Sequence, residues 1–150
     1  MLTIVIIATI ILVGVLFMTK RNLLILIGTT SLFLGGLIYL LLRKNITNIF
    51  DCQLVENVRC CLSELNIDFV RFYLPDFLWA LSLCCYLLAL FNPKPAGVFC
   101  CALAVLFCGV LWEVGQYTDV FKGTGDIADI IMYLSASILA VFICTRAKIE

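Results

Sequence analysis

Long apolar runs separated by short polar breaks organise this chain. Leu2 to Met18 is closed by Lys20 and Arg21, and Leu23 to Leu42 by Arg43 and Lys44. Three more runs follow: Leu74 to Phe91, Ala96 to Trp112 and Ile127 to Cys144. A helix that crosses a bilayer needs about 20 apolar residues, within a range of roughly 17–25. The pattern therefore predicts five spanning helices at 2–18, 23–42, 74–91, 96–112 and 127–144. The first run starts at once with Leu2-Thr3-Ile4-Val5, without the charged leader of a cleavable signal, and reads as a retained span.

The period changes between the second and third runs. Phe50, Leu54, Val58, Cys61, Leu62 and Leu65 recur at steps of three and four, with Asp51, Glu56, Arg59 and Glu64 largely between them. This predicts an amphipathic helix over about 50–65, too polar to cross, lying in the interface or packed over the bundle mouth. Asn22 forms nearly the whole link between the first two spans, a tight antiparallel hairpin. Asn92-Pro93-Lys94-Pro95 joins the third to the fourth, its prolines ending one helix and suiting the start of the next. The expected fold is all-α: one integral membrane bundle of five transmembrane helices plus one interfacial helix.

Composition sharpens this reading. Of 150 residues 64% are hydrophobic and 13% charged, with a mean hydropathy of +1.16, whereas soluble domains run near 45–50% apolar and about 25% charged. Ten basic residues balance ten acidic ones, and there is no histidine. A basic nucleic-acid surface is excluded, as are a disordered tail and any histidine-dependent mechanism or metal site. Nine cysteines occur, six of them as the adjacent pairs Cys60–Cys61, Cys84–Cys85 and Cys100–Cys101. Adjacent cysteines are poor partners for one tetrahedral metal, so no metal site is expected. Cys84, Cys85, Cys100, Cys101, Cys108 and Cys144 lie in apolar runs and read as small hydrophobes facing lipid or a neighbouring helix. Only Cys52, Cys60 and Cys61 sit in a polar stretch open to oxidation.

Zero net charge hides a separation. With five spans, Lys20, Arg21, Lys94, Arg146 and Lys148 fall on one side, and Arg43, Lys44, Arg59, Arg71 and Lys122 on the other. The bases tie, but Glu150 is the one acid of the first side and the remaining nine lie on the second. The short basic loops are read as cytoplasmic, which places the N-terminus outside, the C-terminus inside and the acidic face outward in the plasma membrane.

Charge within or beside a span is costly and marks function. Three such places share the acidic side. In Arg71-Phe72-Tyr73-Leu74-Pro75-Asp76-Phe77-Leu78-Trp79, Pro75 suits a first helical turn and Asp76 follows it, with Trp79 one turn on. Asp76 also suits the helix dipole, and Tyr73 and Trp79 an interfacial belt. In Trp112-Glu113-Val114-Gly115-Gln116-Tyr117, Trp112, Glu113 and Gln116 share a face. Glu113 opposes the dipole of its own helix, so a buried partner or a ligand is expected. In Gly123-Thr124-Gly125-Asp126-Ile127-Ala128-Asp129, the glycines permit a tight return, Asp126 suits an N-cap, and Asp129 stands where a capping box places its carboxylate. Arg71, Lys122, a shared proton or a bound cation would partner Asp129.

These residues carry a resemblance. Trp112-Glu113-x-x-Gln116, a short polar loop, then Gly123-Thr124-Gly125-Asp126-x-x-Asp129 opening an apolar helix resembles the C-terminal signature of VanZ-like membrane proteins. The likeness covers about the last 45 residues, and Leu74-Pro75-Asp76-Phe77-Leu78-Trp79 extends it over the C-terminal half. The chain departs from that pattern in two places. The family's Asp-Lys-x-x-His element lacks its histidine here, with Asp76 at an equivalent place, and the usual Arg before the Gly-Thr turn is missing. The resemblance implies a role at the bacterial envelope, where founding members are linked to teicoplanin resistance.

Three functions fit these residues. In the first, Arg71, Asp76, Trp79, Trp112, Glu113, Gln116, Asp126 and Asp129 bind a lipid or cell-wall precursor; a cationic, amine-rich or sugar-bearing head group suits the acids and Gln116, with the tryptophans stacking on sugar or choline-like groups. In the second, paired carboxylates act as general acid and base on a lipid head group, or hold a divalent cation that binds its phosphate; the other two readings need no cofactor. In the third, small residues (Gly28, Ser31, Gly35 and Gly36; Gly97, Cys101 and Ala104) make the chain a scaffold or partner subunit. The bilayer is a partner in every case and nucleic acid in none. Oligomeric state is not legible from sequence.

Overall fold

The computed structural model describes residues 19–42, 57, 58, 62 and 67–146. The expected span 2–18 lies outside them, as do Cys52, Cys60, Cys61 and all of the expected helix 50–65 except residues 57, 58 and 62, which are helical. The longer described elements are α1 (Lys20–Leu42), α2 (Asp68–Phe72), α3 (Leu74–Phe91), α4 (Pro95–Tyr117) and α5 (Ile127–Arg146). No strand occurs among the described residues. α1, α3, α4 and α5 are long and apolar enough to cross a membrane.

Local chemistry sets most helix ends. α3 starts on Pro75 in its first turn and stops where Asn92 adopts a left-handed conformation (φ 38°) and donates its N–H to the Leu88 carbonyl at 3.1 Å. α1 begins three residues before the expected Leu23, because Thr19 Oγ1 accepts the Asn22 N–H at 3.3 Å and caps the first turn. Asn22 therefore belongs to the helix and is not a hairpin link. α4 runs to Tyr117 instead of Trp112. Its last turn closes in a Schellman arrangement: Asp119 is left-handed (φ 56°), and Val120 N–H reaches the Gly115 carbonyl at 2.8 Å while Asp119 N–H reaches that of Gln116 at 3.2 Å. The polar residues read as the end of a span are its last helical turns.

α3 is the central helix. It packs on α1 and α5 and less closely on α4, while α5 packs on α4. The core is built of small and branched side chains, including Leu24, Leu81, Cys84, Cys85, Leu88, Val98, Val105, Ala136, Ala140 and Cys144. The thiols of Cys84, Cys85 and Cys144 are buried at helix seams, and Cys100 and Cys108 are exposed; all these and Cys101 are free thiols. Gly28, Ser31 and Gly35 are buried along one face of α1, and an added Cβ at Gly28 would stand 3.3 Å from the Ser82 carbonyl of α3. These small residues seat a helix of the same bundle. Large apolar side chains point outward: Phe33, Leu90, Phe99, Leu103 and Phe107 are each more than half exposed. A helix apolar on every face suits hydrocarbon, not water.

The α4–α5 seam depends on one glycine. The ring of Tyr133 from α5 lies directly on Gly109 of α4, where any Cβ would collide with it. Such overpacking commonly costs about 1–3 kcal/mol. Gly109→Ala should therefore lower the unfolding midpoint in a denaturant titration of the detergent-solubilised chain. The loss should shrink markedly in a Tyr133→Ala background, and an equal loss in both backgrounds would rule out this contact as its origin.

Candidate functional site

The C-terminal ends of α1 and α4 and the N-terminal ends of α3 and α5 meet at one mouth of the bundle, so neighbouring helices alternate in direction. A cavity of about 680 Å³ opens there, within the 300–1,000 Å³ common for small-molecule sites. All eight residues singled out from sequence line it: Arg71, Asp76, Trp79, Trp112, Glu113, Gln116, Asp126 and Asp129. Tyr39, Leu42, Phe72, Tyr73, Lys122, Gly123 and Thr124 complete the lining.

Glu113 organises the site. It is 5% exposed, one turn before the end of α4. Tyr133 donates its hydroxyl to Glu113 Oε1 at 2.8 Å, and the Asp126 N–H donates to Oε2 at 3.1 Å. Burial of a carboxyl group demands such partners. Gly109 lies one turn before Glu113 on the same face, so the glycine that admits the Tyr133 ring also brings its hydroxyl to the carboxyl. In a capping box the third helical residue accepts the N–H of the cap. Here the Asp126 N–H is received by Glu113 from the neighbouring helix, and Asp129, in the box position, borders the cavity.

Asp126 caps α5. Its Oδ1 accepts the Ala128 N–H at 2.9 Å, and its Oδ2 accepts the Tyr73 hydroxyl at 3.2 Å. Tyr73 lies between α2 and α3, so this bond ties the start of α3 to the start of α5. The approach of Gly125 is equally tight: a Cβ there would stand 2.7 Å from the Glu113 carbonyl oxygen. Asp76 in the first turn of α3 and Asp129 in the first turn of α5 both sit at positive dipole ends.

Aromatic rings wall the opening. An added Cβ at Gly35 would stand 2.8 Å from the Trp79 indole, and Tyr39, one turn on, holds its ring centroid 5.3 Å from that of Trp79. Opposite them, Trp112 stacks on Phe121 at 4.7 Å. With the Gln116 amide oxygen toward the indole, Trp112 Nε1 donates to it at 2.9 Å, and the amide nitrogen donates to the Thr124 carbonyl at 3.2 Å. Gln116 thus braces the loop against α4. Arg71 enters from α2 and pairs with Asp68 of its own helix at 3.5 Å. Among the described residues, no three carboxylate or thiol side chains are grouped so as to hold a metal ion.

Sequence reasoning missed Tyr133, Tyr73 and Tyr39. Tyr133 and Tyr39 lie inside apolar runs, where their spacing marks only spanning helices; Tyr73 reads as a belt residue. The one signal for Tyr133 was Glu113, a carboxyl without a local partner.

Removing the hydroxyl in Tyr133→Phe deprives buried Glu113 Oε1 of its donor, an omission that costs about 1–3 kcal/mol. Urea titration should show that loss, and a Glu113→Ala background should abolish most of it. Tyr73 supplies a pH test. The Asp126 carboxylate beside its hydroxyl, by repulsion of the phenolate and by accepting its hydrogen bond, raises the Tyr73 pKa above the ordinary 10.0. A raised folded value means that the bond's contribution is complete below pH about 10 and is lost as pH rises through the folded value. Phenolate absorbance, taken as the difference between the native chain and Tyr73→Phe, should titrate above 10, and Asp126→Asn should bring it back; no movement would refute the coupling. Comparison of the chain with protein-family models, with characterised proteins and with solved structures found no match.

Proposed function

We propose that this chain is a VanZ-like membrane protein of the bacterial envelope whose cavity binds a lipid or a cell-wall-related ligand. One observation carries the reading: three polar elements, lying near residues 71–79, 112–116 and 123–129, line a single cavity of about 680 Å³ at one end of an otherwise apolar bundle. Structural need explains Glu113 and Asp126, whose oxygens each accept a protein hydrogen bond. It does not explain why Arg71, Lys122, Trp79 and Trp112 border the same space. Concave sites with aromatic walls and a few convergent polar groups suit ligand binding. Occupation of both Glu113 oxygens by Tyr133 and the Asp126 N–H favours binding over acid–base chemistry at that residue.

The proposal includes five spans, with 2–18 joining the four described helices, and an N-terminus outside and C-terminus inside the plasma membrane. The cavity then opens to the outer leaflet.

Two measurements test it. Native mass spectrometry of the full chain released from its membrane should show a retained lipid or cell-wall precursor, and joint Asp76→Asn and Asp129→Asn substitution should reduce it several-fold with helicity unchanged. Retention equal to that of the native chain would overturn the site. An impermeant maleimide should label Cys52 from outside intact cells when the other polar-stretch cysteines are replaced by serine; labelling of lysed membranes alone would reverse the orientation.

A further inference from the structure

Deepening that reading, and resting on it, we infer that the group recognised in the cavity is a phosphate, held between Arg71 of α2 and the loop Lys122-Gly123-Thr124. The Arg71 side chain is only 17% exposed, and part of its donor fork is unused. Its Nη1 lies 3.5 Å from Asp68, beyond the about 2.7–2.9 Å of a charge-assisted hydrogen bond. The Asp68 side chain is 65% exposed, so water screens that pair. The Arg71 Nε is buried without a hydrogen-bond partner, and the Phe72 ring, 6.0 Å from the guanidinium, offers it no oxygen. A buried charge so loosely paired is costly to keep, and the oxygens of an anion in the cavity would remove that cost.

The loop before α5 brings a second set of donors to the same space. Lys122 is exposed and forms no ion pair with a described residue. The backbone N–H groups of Lys122, Gly123, Thr124 and Gly125 donate to no acceptor among the described residues. Gly123 holds φ at 148°, a conformation that side chains disfavour. Successive N–H groups in such turns suit anions. The carboxyl groups of the lining are engaged elsewhere. Glu113 and Asp126 are bonded within the α4–α5 junction. Asp76 and Asp129 have partners inside the chain as well, and act on a ligand through the walls they hold.

Phosphate fits this pair of elements better than other head groups do. Arginine binds it through a fork of donors and lysine as a point charge. Its tetrahedron of oxygens meets donors from two directions at once, so α2 and the loop can share it. A carboxylate has two oxygens in one plane, which the arginine fork alone would occupy. A neutral sugar would leave the guanidinium charge uncompensated, and an amine would repel both cations. The depth points to a membrane source: the cavity lies at the helix ends, beside Tyr39, Trp79 and Trp112, and tryptophan and tyrosine mark the headgroup level.

The test loads the full chain in detergent with lipids of identical acyl chains and reads bound lipid by native mass spectrometry. Phosphatidic acid should be retained about tenfold over diacylglycerol, the factor expected from one charge-assisted hydrogen bond. Arg71→Gln should erase that preference, and Arg71→Lys, which keeps the charge and loses the fork, should fall between. Lys122→Gln, a loop variant that leaves the helix seams intact, should weaken phosphatidic acid and leave diacylglycerol unchanged. Displacement of phosphatidic acid by free glycerol phosphate would support the same phosphate chemistry from a soluble source; retention against it would support a lipid source. Equal retention of phosphatidic acid and diacylglycerol, preferential capture of a glycosyl diacylglycerol, or a preference that survives both Arg71→Gln and Lys122→Gln would overturn the phosphate assignment and leave the lipid site standing. Failure to retain any lipid, with no binding of glycerol phosphate, would remove the lipid site as well.

Discussion

The mouth of this bundle depends on a buried carboxyl group. Glu113 sits near the negative end of α4, where its own helix disfavours it by roughly 0.3–1 kcal/mol at exposed sites, and it has no partner within that helix. Its two hydrogen bonds both come from α5 or its cap, one through the Tyr133 side chain and one through the Asp126 backbone. The penalty of leaving such a group unbonded in an apolar interior is several times larger than the dipole term. Helix α5 is thereby fixed in register against α4, and the loop between them must close within nine residues, 118–126.

Closure of that loop explains much of the remaining geometry. The left-handed Asp119 turns the chain off α4, Phe121 covers Gly115 and stacks on Trp112, and Gln116 braces the Thr124 carbonyl. Asp126 arrives where it both caps α5 and receives the Tyr73 hydroxyl. The start of α3 is drawn in by that last bond, bringing Asp76 and Arg71 to the same space. Small residues at the seams allow this convergence: Gly109 admits Tyr133, and Gly35 admits Trp79. Alternating helix direction then sets two positive helix ends beside Asp76 and Asp129, a local stabilisation that leaves both carboxylates bordering the cavity.

Much of this was legible along the chain, and the rest was not for identifiable reasons. The expected limits 74–91 coincide with α3 because Pro75 and Asn92 punctuate it through local backbone chemistry. The four described spans follow from length and hydropathy alone. The apolar span was set to end at Trp112, whereas α4 continues to Tyr117, its polar last turns holding Glu113 and Gln116 with partners from α5 and the loop. All eight residues chosen for being charged, amide-bearing or aromatic near a span border one cavity. Their mutual arrangement rests on Tyr133, Gly109 and Gly35, residues whose types are ordinary in spanning helices. Long-range pairing of this kind has no local signature. The count of cavity cations changed as well: Lys122, weighed only as a partner for Asp129, lines the space itself.

The central claim is that Glu113 joins α4 to the start of α5 by accepting the Asp126 N–H. Amide hydrogen exchange, followed by NMR on the full chain in lipid discs, reads that bond directly. The Asp126 amide should exchange far more slowly than the Gly123 and Gly125 amides of the same loop, and Glu113→Ala should accelerate it to their rate. An Asp126 amide that exchanges as fast as those glycines in the native chain would contradict the account.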